Sequence, residues 1–195
     1  MANTNAPFGF SQTSGHGSAP TYETNVRKIA SNNSTAIFSG DPVTSLSSGY
    51  IAQSSPGTTQ IDGIFVGCEY LSTSQKRTVW SPYWPGSDAT GDITAYVVQD
   101  PNSRFVVQAG GSTTAIGFAD IGSNINFAVG TGNTSTGRSG AYADQTTIAT
   151  TNTLPFRIVG LVTDPPGAPG TDTASGYNRI VVAFNNVDAK SLTGI

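Results

Sequence analysis

The chain has 195 residues, of which 11% are charged, with one His, one Cys and one Met, and its formal net charge is −3. An average domain carries about 25% charged residues. Chemistry near neutral pH draws first on tunable ionisable groups, His above all, so these numbers direct the reading away from an enzyme and toward a β-built structural or binding protein.

Nine Lys and Arg are scattered without a basic patch, which argues against direct nucleic-acid binding. No segment approaches the ~20 apolar residues of a membrane helix. The opening Met1-Ala2-Asn3-Thr4 has neither the basic start nor the apolar run of a secretory signal. The expectation is a protein made in a cytosol, with no membrane partner. A lone Cys68 in an apolar run leaves no internal disulfide and reads as a small buried hydrophobe.

Residues 1–20 are rich in Gly, Ser and Pro and read as an extended N-terminal arm, with residues 21–195 as the body. Phe8 and Phe10 in that arm need an apolar seat, on this molecule or on a neighbour. Short apolar runs then alternate with turn clusters: 21–29, 36–38, 49–52 and 61–70. Pro42, in Ser39-Gly40-Asp41-Pro42, is read as a stop. Runs 93–99 and 104–109 flank Asp100-Pro101-Asn102-Ser103, a type I turn sequence that predicts a hairpin. Residues 124–129 alternate, placing Ile125, Phe127 and Val129 on one face. A short helix is allowed within 139–149. Runs 156–162 and 179–184 are joined by a Pro/Gly-rich loop over 164–177. This spacing predicts an all-β fold, a single β-barrel or jelly-roll-like sandwich with at most a short helix.

Gly132-Asn133-Thr134-Ser135-Thr136-Gly137-Arg138-Ser139 nearly matches a phosphate-binding loop. The helix that must follow is missing, since Gly140 comes next, so the reading is a polar surface loop. His16 lies between glycines, where nothing would orient an imidazole. One His and one Cys cannot supply a typical zinc site, and no cofactor is expected. The twelve carboxylates sit mostly in or beside turns, and no glycosidase pair stands out among them.

One cluster is unusual. Trp80-Ser81-Pro82-Tyr83-Trp84-Pro85 holds both tryptophans of the chain. Trp80, Tyr83 and Trp84 are compatible with a core plug under a loop, a protein interface or a carbohydrate platform.

Several segments carry a resemblance. They are Ala2-Asn3-Thr4-Asn5-Ala6-Pro7-Phe8-Gly9-Phe10, 36–43, 61–70, Tyr83-Trp84-Pro85-Gly86, 98–108, 132–139 and 154–161, spread over roughly residues 2 to 185. In this order the chain resembles the head decoration, or cement, proteins of tailed bacteriophages. The resemblance implies a β-barrel bound outside an icosahedral head, with the major capsid protein as partner and no catalytic residues. Dimers or trimers would suit the local symmetry axes of such a shell. In that setting Phe8 and Phe10 would anchor the arm, and the aromatic cluster would meet a neighbour. A carbohydrate-binding accessory module of a phage head or tail is the alternative.

Overall fold

The computed structural model describes residues 2–15 and 17–191; His16 lies outside the described residues. Strands are numbered in chain order. The arm ends in β1 (Ser11–Ser14). Next come β2 (Asn25–Ile29), β3 (Ile37–Phe38), β4 (Pro42–Ser45) and β5 (Ile51–Gln53). The long β6 (Gly63–Leu71) is followed by β7 (Thr78–Ser81), β8 (Tyr83–Trp84) and β9 (Ile93–Val98). Most of these form a first sheet, in the order β2-β9-β6-β4-β5. One edge of β6 pairs with β9, and the other is shared between β4 and, further along, β7. Pro42 does not stop a strand; it starts β4, a position that needs no ladder N–H from it.

The first sheet curls around its own apolar cluster, which includes Ile29, Ile37, Val43, Phe65, Cys68, Trp84 and Ile93. Strict alternation along β6 would put Phe65 and Cys68 on opposite faces. A bulge at Val66 shifts the β6–β9 register between Phe65 and Gly67, so both side chains point inward. Cys68 is fully buried, and burial pushes its thiol up to about 12.

The remaining strands are β10 (Arg104–Gly110), β11 (Asn124–Ala128), β12 (Tyr142–Ala149), β13 (Phe156–Leu161) and β14 (Arg179–Phe184). They close into a five-stranded barrel, because β10 pairs with β12 at one end of the path and with β14 at the other. Alternate residues fill it: Phe105 and Val107, Ile125 and Phe127, Phe156 and Ile158, Ile180 and Val182. Val129 is only partly buried against them. The outward Asn124 and Asn126 are buried as well and bond locally, to the Thr151 carbonyl and the Phe127 N–H. The fold is all-β, and its only helical pieces among the described residues are short 3-10 turns at Phe118–Asp120 and Asp188–Lys190.

Two local expectations are corrected. Residues 142–149 form strand β12 rather than a helix. The β-branched run Thr146-Thr147-Ile148 favours extended backbone, and barrel closure needs a strand between β10 and β11. The turn at 100–103 forms, with the Ser103 N–H donating to the Asp100 carbonyl at 3.0 Å. Yet β9 and β10 do not pair as a hairpin. β9 sits between β2 and β6, while β10 belongs to the barrel, so the turn is a crossover between sheets.

The arm lies on its own body. The Asn3 side chain reaches the carbonyls of Asp172, Ser175 and Gly176. Buried Gln108 accepts from the Ala6 N–H and donates to the Thr4 carbonyl. Gly9, at φ +78°, passes so close that an added Cβ would stand 2.7 Å from the Ser139 Cβ. Phe10 donates its N–H to the Gly40 carbonyl and stacks on Phe156 with ring centroids 4.4 Å apart. β1 then adds to the edge of β10.

Truncation of a buried Phe typically costs about 3–5 kcal/mol. Phe10→Ala should lower the free energy of unfolding by that amount, read in urea as a lower midpoint at unchanged m-value. Deleting residues 2–14 should abolish a cooperative transition. An arm that could be removed without loss of stability would contradict the docking described here.

Candidate interaction groove

The outer face of the first sheet is covered by the barrel only at one end, where Ile64 and Val98 join the barrel's apolar cluster. The other end is open. Across it, Val26 of β2 stands opposite Tyr96 of β9, and Tyr96 opposite Gly67 of β6. Trp80 leans over Gly67 from β7: a Cβ on Gly67 would come 3.0 Å from the indole Cζ2. A glycine flanked by two aromatics leaves a notch, and the notch is the floor of a groove.

That groove has a volume of about 460 Å³. The sheet supplies Val66, Gly67, Trp80 and Tyr96; the arm supplies Phe8, Phe10 and Gln12; Tyr22 and Arg138 complete it. Trp80 is 60% exposed and Tyr22 80%. Tyr22 is held at φ +53°, a left-handed backbone that costs a non-glycine residue roughly 1–2 kcal/mol.

The sequence-predicted residues divide. Trp84 is fully buried, edge-on to Tyr70 at 5.0 Å, and its indole N–H donates to the Asn33 carbonyl. Tyr83 stacks on Phe38 at 5.2 Å. Trp84 belongs to the first sheet's core, and both residues pair in the short β3–β8 ladder beside it. Trp80, Phe8 and Phe10 meet at the groove, with Phe8 half-buried beneath the Arg179 guanidinium at 5.1 Å. Tyr22, Val66, Tyr96 and Arg138 are additions. Tyr96 had a signal, since the β9 alternation turns Thr94 and Tyr96 away from Ile93, Ala95 and Val97. Arg138 sits in the phosphate-loop look-alike, which is a surface loop built on Asn133: its side-chain oxygen accepts the N–H groups of Ser135 and Thr136.

No carboxylate lines the groove, so a two-carboxylate hydrolysis has no seat there. What the groove offers is stacking, apolar burial and one cation. Burial, and then the neighbouring Glu69 carboxylate, raise the Tyr96 phenol above its ordinary value. A separate recess gathers Glu23, Asp100 and Asp188. Beside it a buried Asp62 pairs with Arg27 at 3.2 Å and accepts from Ser45 and Gln99. Among the described residues, no group of His, Cys, Asp and Glu is arranged to hold a metal.

The hairpin that carries Trp80 is clasped at its turn. Asp88 accepts from the Ser72 and Thr73 hydroxyls at 2.7 and 2.9 Å and from the Ser74 N–H at 3.0 Å. Led by the Ser72 hydroxyl, these donors hold its carboxyl at about 2, below the ordinary 3.8. A depressed carboxylate contributes in full above its unfolded value, and the contribution is lost as pH falls through the folded one. In an NMR titration the Ser74 amide should therefore shift with a midpoint near 2, and Asp88→Asn should remove the inflection. A midpoint at 3.8 would mean an unclasped hairpin. The two tryptophans should also respond differently to a soluble quencher: Trp80→Phe should leave only shielded emission, and Trp84→Phe only accessible emission.

Compared with protein-family models, curated proteins and solved structures, the chain matches none.

Proposed function

We propose that the chain is a virion structural protein that decorates the outer surface of an icosahedral phage capsid and cements neighbouring major capsid subunits. The observation that carries this reading is the open aromatic groove at the junction of the two lobes. Trp, Tyr and Arg are the residues that dominate protein-interface energetics, and here they stand on packed strands and a pinned loop. Little entropy is left to lose when they are gripped. The arm makes the body rigid, so the body's own face does the bridging. Modest contacts suffice, because many copies on one shell multiply them. The low charge and the absence of a basic patch suit a protein that works beside packaged DNA without binding it.

A carbohydrate-binding accessory module is the second reading. Its support is the flat indole over Gly67 with Tyr96 and the Gln12 amide beside it, an arrangement on which a sugar ring can stack.

Purified protein should bind capsids that lack it and raise their resistance to heat or osmotic shock. Loss of a hot-spot side chain costs at least ~2 kcal/mol, so Trp80→Ser should weaken occupancy by about 30-fold. Binding to a glycan array, lost in Trp80→Ser, together with no affinity for capsids, would replace this reading with the second.

A further inference from the structure

The molecule carries an apolar knob as well as an apolar groove. The 3-10 turn at Phe118–Asp120 leaves Phe118 70% exposed and Ile121 39% exposed. The turn is pinned. Asp120 accepts the Gly117 N–H at 2.8 Å, the Ile121 N–H reaches the Phe118 carbonyl, and the Gly122 N–H donates to Ile158 of β13 at 2.9 Å. Two large apolar side chains are thus presented to solvent on a rigid support.

We infer that the groove of one molecule receives the Phe118–Ile121 turn of a second copy, so that the chain assembles head to tail. This rests on the reading of the groove as a protein contact. Three observations select this occupant. First, size: a dry cavity of ~150 Å³ already admits benzene, and the groove of about 460 Å³ has room for a phenyl ring with an aliphatic neighbour. Second, charge: Arg138 at the groove has no ion-pair partner among the described residues, and the knob brings the Asp120 carboxylate between its two apolar residues. Third, topology: in the five-stranded barrel, β10 is flanked by β12 and β14, so β13 lies across the barrel from it. The groove draws on β10 through Phe105, and the knob is tied to β13. The two cannot meet within one molecule. A contact between different patches is heterologous and closes into rings or continues as chains. A ring of copies would suit a symmetry axis of the shell, and each copy would then hold its neighbours as well as the particle.

The test is light scattering on sized samples of the full chain over a concentration series up to its solubility limit. Wild type should grow beyond the dimer. Trp80→Ser, with its groove disabled, and Phe118→Ser, with its knob disabled, should each remain monomeric. Mixed, they retain one intact groove and one intact knob between them, and the mixture should stop at a dimer. Arg138→Glu, an exposed position on a different loop, should behave as Trp80→Ser does and guards against a disturbed hairpin. A wild type that stays monomeric, variants that associate as wild type does, or a mixture with no dimer would overturn the inference. If wild type is monomeric yet coats capsids, the groove serves another partner and the decoration reading stands. Failure to coat capsids whatever the oligomeric state would sink that reading instead.

Discussion

Phe10 bridges the two lobes of this protein, the first sheet with its own core and the five-stranded barrel. Phe10 lies 3% exposed with its ring on Phe156 in the barrel, while its N–H is held by Gly40 in the first lobe. Its neighbours make the seat possible. Gly9 supplies the left-handed turn and the close approach, and Ser11 begins the strand that extends β10. Behind the seat, nearly inaccessible Asp41 accepts from the Phe38 N–H and from the Gln53 and Ser139 side chains. It ties β3, β5 and the loop after Arg138 together. Burial raises its pKa, and the three donors oppose that shift. A small domain with so few ion pairs depends on such fully bonded buried nodes, since an orphaned polar group costs more than a formed bond returns.

The groove follows from this joint. With the arm seated, Phe8, Phe10 and Gln12 form a fixed wall opposite the uncovered end of the first sheet. The other wall is fixed by different means. The Asp88 clasp holds the turn of the β6–β7 hairpin, and the Ser81 hydroxyl donates to the Tyr83 carbonyl at 2.6 Å across the bend that separates Trp80 from Trp84. That bend decides the fate of the aromatic cluster. One indole goes inward to fill the first core and the other is left in water. An exposed indole is costly to solubility unless it is used, and here it stands on a paired strand beside Tyr96, with Glu69 as its cross-strand partner.

Much of the architecture is legible in the residues. The apolar runs at 93–98, 104–110 and 179–184 become strands because Val, Ile and Phe alternate with residues that tolerate the outer face, and Gly and Pro cut between them. What is hidden is pairing. Asp100-Pro101-Asn102-Ser103 dictates a turn, but a turn sequence says nothing about whether its flanking strands prefer each other or other partners. The arm's Gly and Ser content suggests a free tail. Its docking depends on Gln108 and Phe156, a hundred and more residues away, and no local pattern announces them. The Val66 bulge breaks the period-2 signal in the strand that matters most to the groove. Of the groove itself, Phe8, Phe10 and Trp80 could be picked out by residue type. Tyr22 and Arg138 could not, because their importance comes only from where loops carry them.

The function proposed for this rigid β body is contact through its aromatic face. A cryo-EM map of particles coated with the protein tests this directly. It should show copies on the outer surface of the shell with the Trp80–Tyr96 face covered by polypeptide. Copies seated with that face open to solvent, or absent from the particle altogether, would contradict it.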